Sequence, residues 1–396
     1  MPSIIGLMSG TSLDGVDAVQ VNLTGTRSDL QMEVLAGLTY PYPDALRSRL
    51  LALCAGETIS LAELAELDDA VAHTFAQAAL TVQQEAIDRF QTPAVLIGSH
   101  GQTLYHRPPT HTGKHMGLGY SWQLGRGSVI AYQTRLPTVS NFRSADIAAG
   151  GQGAPLVPAI DRYWFGHPEE HRCIQNIGGI GNVTYLPPWN ETNDRPVQGW
   201  DTGPGNSLLD LAVQRLSQGT QRFDAEGQWA AQGMPCVELL EQWLAAPFFH
   251  QAPPKSTGRE LFGTDYLDRC CEDAEAYGLG AADFLATLTE LTALSIYHSY
   301  RSFLPYQPQR IFVAGGGLRN EYLMQRLRHH FAPIPVDSTI EEGVDPDLKE
   351  AAIFAVLAYW HQLGLPGNLP SVTGAAQAVI LGDYSPVYSV PDRPDR

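Results

Sequence analysis

Ser3-Ile4-Ile5-Gly6-Leu7-Met8-Ser9-Gly10-Thr11-Ser12-Leu13-Asp14-Gly15-Val16-Asp17-Ala18-Val19-Gln20-Val21-Asn22-Leu23 is the stretch on which the reading of this chain turns. Ser3 to Leu7 has the length and apolar character of a buried strand, and it runs into a tight Ser-Gly-Thr-Ser turn. Val16 to Leu23 alternates, with Val19, Val21 and Leu23 on one face, which is the period of a second strand. Strand, small-residue turn and strand make a hairpin. A Walker-type phosphate loop instead joins a strand to a helix, and no G-x-x-x-x-G-K-[ST] occurs in the sequence. Glycine lets a backbone approach a ligand closely, and Ser and Thr add hydroxyl donors, so this turn is a candidate phosphate cradle. An ordinary hairpin turn with Asx and Ser bonding is the structural alternative.

Three further glycine turns follow. Asn176-Ile177-Gly178-Gly179-Ile180-Gly181-Asn182 again lies after a buried strand, and Gly178, Gly179 and Asn182 could close the other side of a triphosphate. In Asp201-Thr202-Gly203-Pro204-Gly205-Asn206, an acid precedes a turn that opens a helix. Asp201 is either an N-terminal cap or an ionised carboxylate available as a base. Gly203 and Gly205 are candidate phosphate neighbours. Ala314-Gly315-Gly316-Gly317 runs from strand end to helix start, a natural rest for adenosine or phosphate, or else a site of close strand–helix packing. Elsewhere, His100 in Ser99-His100-Gly101-Gln102 could touch a substrate, and Arg143 could pair with a substrate carboxylate. Glu350 opens the last helix, where an acid is also favoured by the helix dipole. Lys255-Ser256-Thr257-Gly258-Arg259-Glu260 suggests a lid or a solvated loop.

The remainder of the chain reads as α/β. Helices are expected at Pro43–Leu53, Leu61–Phe90 with a Ser60/Glu63 capping box, Asn206–Leu216, Phe284–Phe303 and Lys349–Leu363. Strands are expected at Ala94–Gly98, Pro137–Phe142, Cys173–Ile177, Val183–Leu186 and Arg310–Ala314. The 396 residues suit two domains. The expected division is 1–135 with 366–396, and 136–365. Strand–glycine turn–strand recurs in both halves, a hint of a duplicated core. A formal net charge of −17 argues against a nucleic-acid partner. No basic leader and no apolar run of membrane-spanning length is visible, and the five cysteines form no C-x-x-C pair. A cytoplasmic protein without a membrane partner is expected.

The motif set, in order, resembles the anhydro-N-acetylmuramic acid kinase family. The resemblance is carried by Gly6 to Gly15, Gly98 to Thr103, Ala148 to Pro158, Asn176 to Gly179, Asp201 to Asn206, Lys255 to Glu260 and Ala314 to Gly317. It implies a two-domain hexokinase/actin-like ATPase fold with the active site, and ATP, in the interdomain cleft. It also implies a reaction in which water attacks C1 of 1,6-anhydro-N-acetylmuramic acid while O6 takes the γ-phosphate, giving the 6-phosphate and ADP in peptidoglycan recycling. The family's catalytic Asp falls on Asp201, and its acid near sugar and water on Glu350. Its ATP loop falls on Gly10, Thr11, Ser12, Leu13, Asp14, Gly15, Val16 and Asp17, with Thr11 near both phosphate and sugar. Its sugar-side arginine falls on Arg143.

Two departures stand out. Met8 occupies the place where hexokinase and actin relatives carry an Asp, so Mg2+ is expected with ATP but without assigned protein ligands. Asn141 stands where the family often has Asp. The partners expected are ATP and a small sugar, with a homodimer as a possible assembly. The rival readings are a same-fold kinase for another sugar or a carboxylic acid, and an actin- or chaperone-like nucleotide switch.

Overall fold

The computed structural model describes residues 1–10, 13–54, 56–107, 109, 117, 119–189, 196–258, 261–342, 345 and 348–387. Its strands are β1 (Ser3–Ser9), β2 (Gly15–Thr24), β3 (Gln31–Pro41), β4 (Leu96–Arg107), β5 (Tyr120–Leu124), β6 (Thr138–Ser140), β7 (Arg172–Ile177), β8 (Ile180–Leu186), β9 (Gln198–Pro204), β10 (Arg310–Ala314), β11 (Val336–Ser338) and β12 (Asp383–Ser385). They form two sheets, one in each of two compact units. Among the described residues no helix is long and apolar enough to cross a membrane.

The first unit comprises Met1–Trp164 and Asp347–Arg396. Its sheet runs β12-β6-β4-β1-β2-β3, with β5 paired to β4. The opening hairpin forms as the sequence indicates: β1 and β2 are antiparallel, from Ser3 opposite Asn22 to Met8 opposite Asp17. Successive side chains alternate across the sheet. Ile5, Leu7, Val16 and Ala18 accordingly join one core with Val71, Phe75, Ala79 and Val82 of the helix Leu61–Phe90. Ile4, Met8, Val19, Val21 and Leu23 join another with the helix Lys349–Gln362. The Ser60/Glu63 capping box starts the first of these helices as expected.

The second unit, Phe165–Pro346, has the sheet order β11-β10-β7-β8-β9. β7, β8 and β9 make an antiparallel meander, and β10 and β11 continue parallel to β7. In the first unit β1, β2 and β3 make the same meander, and β4 and β6 continue parallel to β1. The duplicated core hinted at by the two glycine hairpins is therefore a repeated five-strand topology. The helices Ala281–Phe303 and Glu321–Phe331 supply Ile296, Tyr300, Leu327 and Phe331 to the core on β7, β8 and β10.

These units differ from the sequence division at 135/136 and 365/366. β6 pairs with β4, placing Thr138 opposite Ile97 and Val139 opposite Gly98, so the first unit extends beyond residue 135. The helix Lys349–Gln362 also belongs to the first unit, and two glycines show why. A Cβ on Gly6 would lie 1.8 Å from the Ala351 carbonyl oxygen, and one on Gly98 would lie 2.0 Å from that of Phe354. Both glycines let the helix backbone rest directly on the sheet.

Candidate active site

In the first unit the β1–β2 turn is closed at its base, where the Ser9 hydroxyl donates to the Gly15 carbonyl at 2.8 Å. Leu13 adopts the left-handed region at φ 55° and is buried. Arg47 braces the turn: its Nε donates to the Leu13 carbonyl at 2.9 Å, and a guanidinium nitrogen lies 3.1 Å from Asp14. Val16 is in the core, and Asp17 accepts from the Thr39 hydroxyl at 2.6 Å. A Cβ on Gly15 would lie 2.5 Å from the Tyr40 carbonyl oxygen, whereas one on Gly10 would meet nothing within 4 Å. Of the expected loop, then, Gly10 presents an open backbone, while Leu13, Asp14, Gly15, Val16 and Asp17 build and brace the turn. Thr11 and Ser12 lie outside the described residues.

His100, Arg143 and Glu350 belong to this same unit. His100 lies within β4, which continues to Arg107 rather than ending before the motif. Its Nδ1 is 2.8 Å from the Gly101 carbonyl oxygen, an obligate acceptor, so Nδ1 carries the proton. Its Nε2 accepts from Arg143 Nε at 3.1 Å. The two contacts fix a neutral tautomer, and burial together with the Arg143 charge holds ring protonation well below the usual histidine range. Both nitrogens of His100 are thus engaged within the protein, and what they orient is Arg143.

Arg143 Nη1 donates to the Gly153 carbonyl at 2.7 Å, and among the described residues Nη2 has no protein acceptor. Burial lowers the guanidinium to about 10, opposed by Glu350 and Asp146, and it stays charged at neutral pH. Glu350 starts the helix Lys349–Gln362. Burial raises its carboxyl; Lys349 and Arg143 pull it back, and Asp161 adds to the rise.

Asp146 is the residue in this region that sequence reasoning missed. Fully buried, it accepts from Gly153 N at 2.8 Å, from Asn368 Nδ2 at 2.6 Å and from the Thr373 hydroxyl at 2.7 Å. A Cβ on Gly151 would lie 2.2 Å from its Oδ2. The glycine-rich loop at 149–155 is therefore wrapped on this carboxylate, which sets the Gly153 carbonyl that holds Arg143. Asn141, in the left-handed region at φ 57°, donates to Asp383 at 2.6 Å.

In the second unit the Gly178–Gly179 turn joins β7 to β8. Its carbonyls receive the backbone N–H groups of Gly205, Asn206 and Ser207 at 2.8–3.0 Å. A Cβ on Gly205 would lie 2.3 Å from the Gly178 carbonyl oxygen, so this glycine permits the close approach. A Cβ on Gly178 or Gly179 would have no neighbour nearer than 3.8 Å, leaving that backbone open on its outer side. Gly315, at φ 82°, and Gly317 pack against Asn176 and Ile177, while Gly316 is open beside the Asn206 amide. The next helix, Glu321–Phe331, carries its own cap, Asn320 accepting from Leu323 N at 2.9 Å. A depression of about 690 Å³ beside this turn is lined by Glu226, Gln228, Leu318, Tyr322 and Gln325 among others.

Asp201 does not cap a helix. It lies in β9, Asn182 is its partner across the β8–β9 ladder, and the following helix begins at Ser207 with Asn206 at the cap position. The 255–257 segment holds it: Asp201 N donates to the Lys255 carbonyl at 3.1 Å, and Asp201 Oδ2 accepts from Thr257 N at 2.8 Å. Lys255 is buried at 6% exposure, so this end of the expected lid is not a solvated loop. Arg259 and Glu260 lie outside the described residues. A carboxylate whose rotamer is set by a backbone donor, on the strand beside an open glycine turn, has the chemistry of a general base. Among the described residues no group of three or more His, Cys, Asp or Glu side chains is placed to hold a metal ion.

The anhydro-N-acetylmuramic acid kinase family model matches residues 2–387. An anhydro-N-acetylmuramic acid kinase of Trichormus variabilis is 60% identical over 385 residues, covering 97% of each chain. One from a Cyanothece species is 60% identical over 382 residues, covering 96% of this chain and 98% of its own. A third, from Rippkaea orientalis, is 56% identical over 381 residues, with 96% and 98% covered. With this family model spanning nearly its whole length and these relatives 56–60% identical to it, the chain belongs to the anhydro-N-acetylmuramic acid kinase family.

Proposed function

We propose that this enzyme opens and phosphorylates 1,6-anhydro-N-acetylmuramic acid with ATP, in the cytoplasm and in peptidoglycan recycling, with Asp201 as the base. The observation that carries the assignment of the base is Asp201 itself, held on β9 by Thr257 N rather than spent on a helix cap. Asp201 takes a proton from water, and the water oxygen bonds to C1. The C1–O6 bridge bond breaks, O6 bonds to the γ-phosphorus, and the bond from that phosphorus to the β-phosphate oxygen breaks to release ADP. The open backbones at Gly10, Gly178, Gly179 and Gly316 support phosphate contact, and the depression beside Leu318 and Tyr322 offers room for adenosine. Arg143, oriented by His100 and Gly153, offers Nη2 to the sugar acid. Glu350, whose carboxyl is raised by burial, would exchange a proton with sugar or water.

Magnesium is expected to accompany ATP, but the residues of the first turn do not fit a protein-held ion. Met8 supplies no oxygen, Asp14 faces Arg47 and Asp17 accepts from Thr39. Phosphate oxygens and water, the usual magnesium shell, would hold it, and no step above is routed through it.

The test is ADP release with 1,6-anhydro-N-acetylmuramic acid, beside glucose, acetate and no acceptor, for wild type and Asp201→Asn. The expected result is turnover with the anhydro sugar alone, reduced at least about a hundredfold in the variant. Turnover with another acceptor overturns the substrate. Slow turnover indifferent to acceptor points to a nucleotide switch.

A further inference from the structure

Lys255 is a costly residue where it stands. Its ammonium lies 4.6 Å from the Phe248 ring centroid and 4.7 Å from that of Phe303, and it donates to the Phe248 carbonyl at 3.1 Å. Phe248 is buried and fixed edge-on against Phe249 and Phe262, and Phe303, half-buried, ends the helix Ala281–Phe303 and packs against the core of the unit. Among the described residues no carboxylate lies within ion-pair distance of this nitrogen. A slot between two aromatic rings is filled at less cost by Leu or Met than by a cation that must leave water. Burial lowers the ammonium to about 8, against the field of Asp201, which raises it. The compensation comes from two ring faces and one carbonyl, a geometry that fixes a cation in direction as well as in place.

What the side chain anchors is the backbone beside it. The two residues before Lys255 are prolines, Pro253 and Pro254, which offer no backbone donor. Lys255 follows them, and its carbonyl receives Asp201 N, while two residues on Thr257 N reaches Asp201 Oδ2. We propose that Lys255 is a positioning residue for Asp201: its ammonium, seated between Phe248 and Phe303, pins the 255–257 backbone that grips the base at both its N–H and its carboxylate. This rests on the reading of Asp201 as the base. Displacing a base by about 1 Å costs on the order of a hundredfold in rate without removing a substrate contact, so the effect belongs in kcat.

The charged state is part of the device, since a neutral amine keeps no cation–π attraction. The titratable groups that face Lys255 are Asp201 on β9 and His298 on the helix Ala281–Phe303, with His250 of the short helix Pro247–His250 against His298. Burial, His250 and Lys255 all lower His298, so it is neutral where Lys255 titrates. Wild-type kcat should therefore decline as pH rises through about 8, the value at which Lys255 loses its proton.

The experiment measures kcat and both KM values from about pH 6 to about pH 10 for wild type, Lys255→Met, Lys255→Arg and Asp201→Asn, with a thermal melt of each. Lys255→Met is expected to lower kcat about 10- to 100-fold with each KM within about threefold, and to lack the limb near pH 8. Lys255→Arg keeps its charge, so its limb moves up by at least about one pH unit. If Lys255→Met does not fold, the wild-type and Lys255→Arg profiles decide. The proposal is overturned if Lys255→Met keeps kcat within about twofold of wild type, or if the limb stays in place in Lys255→Arg. Full turnover by Asp201→Asn would instead remove the base itself; an inactive Asp201→Asn beside a normal Lys255→Met would sink only the role of Lys255.

Discussion

Lys349→Met should be among the most damaging single changes in the first unit, and the structure says by how much. Lys349 Nζ lies 2.9 Å and 3.1 Å from the two carboxylate oxygens of Asp161, and the side chains are 5% and 1% exposed. Burial already pushes the Asp161 carboxyl up, with Lys349 as the opposing influence. Removing only the cation strands a carboxylate in the interior, which costs about 3–5 kcal/mol. Asp161 can take up a proton instead, so the lower end of that range is expected. At 2–4 °C per kcal/mol for a unit of this size, the melting temperature should fall by roughly 10 °C. The double variant Lys349→Met/Asp161→Leu removes both charges and should recover most of the loss, since apolar replacement of a buried pair is often neutral. Calorimetry at neutral pH on both variants is the assay. A single variant melting within about 2 °C of wild type, or a double variant no better than the single one, would refute the reasoning. The same change reaches the proposed site, because Lys349 is one of the two cations that hold the neighbouring Glu350 carboxyl down. If Glu350 acts in the reaction, the acid limb of kcat in Lys349→Met moves to higher pH.

Two contrasts test other parts of the account. Gly98→Ala puts a Cβ 2.0 Å from the Phe354 carbonyl oxygen, a backbone atom that cannot swing aside, and should cost about 2–3 kcal/mol by chemical denaturation, whereas Gly10→Ala meets nothing and should leave stability within about 0.5 kcal/mol while weakening ATP use in a kinetic assay. Glu290 is opposed by burial but held down to about 2 by hydrogen bonds from His330 and Arg326, so its folded value lies below the usual 4.5. That stability is present above about pH 4.5 and is lost as pH falls toward about 2; Glu290→Gln should lower stability at neutral pH by on the order of 2 kcal/mol and flatten the acid limb of an unfolding-versus-pH curve.

Elements whose sequence carries strong periodicity are legible in the sequence itself. The helix Leu61–Phe90 and the strand Arg310–Ala314 lie where the pattern puts them. β9 was not visible, because Gln-Gly-Trp-Asp-Thr-Gly-Pro carries turn residues where a strand normally carries β-branched ones. It is held by pairing with β8, a tertiary cause. The same masking made Asp201 resemble a helix cap. The division of the chain went astray for a related reason: what places the helix Lys349–Gln362 on the first sheet is the missing Cβ of Gly6 and Gly98, and a single glycine in a strand does not announce its partner. Asp146 and Lys255 were unreadable as anchors because their partners, Thr373 and Phe303 among them, are distant in sequence.

The repeated topology gives the glycine turns a common origin. Gly10 lies between the first two strands of one unit, and Gly178 and Gly179 between the first two strands of the other, at equivalent places in the same five-strand order. The two turns are finished differently. In the first, a side chain from outside the hairpin, Arg47, braces the turn at Leu13 and Asp14. In the second, the turn carbonyls are consumed by Gly205, Asn206 and Ser207, which ties the hairpin to the strand that bears Asp201. A shift of the second turn must therefore move the β9 end and, with it, Asp201, the proposed base, whereas a shift of the first turn strains its arginine brace and the Ser9 bond to the Gly15 carbonyl. Loss of the first turn should thus be read in nucleotide affinity, and loss of the second in turnover as well. That asymmetry is what a duplicated fold needs if one copy is to hold a phosphate and the other is to hold a phosphate and activate water beside it.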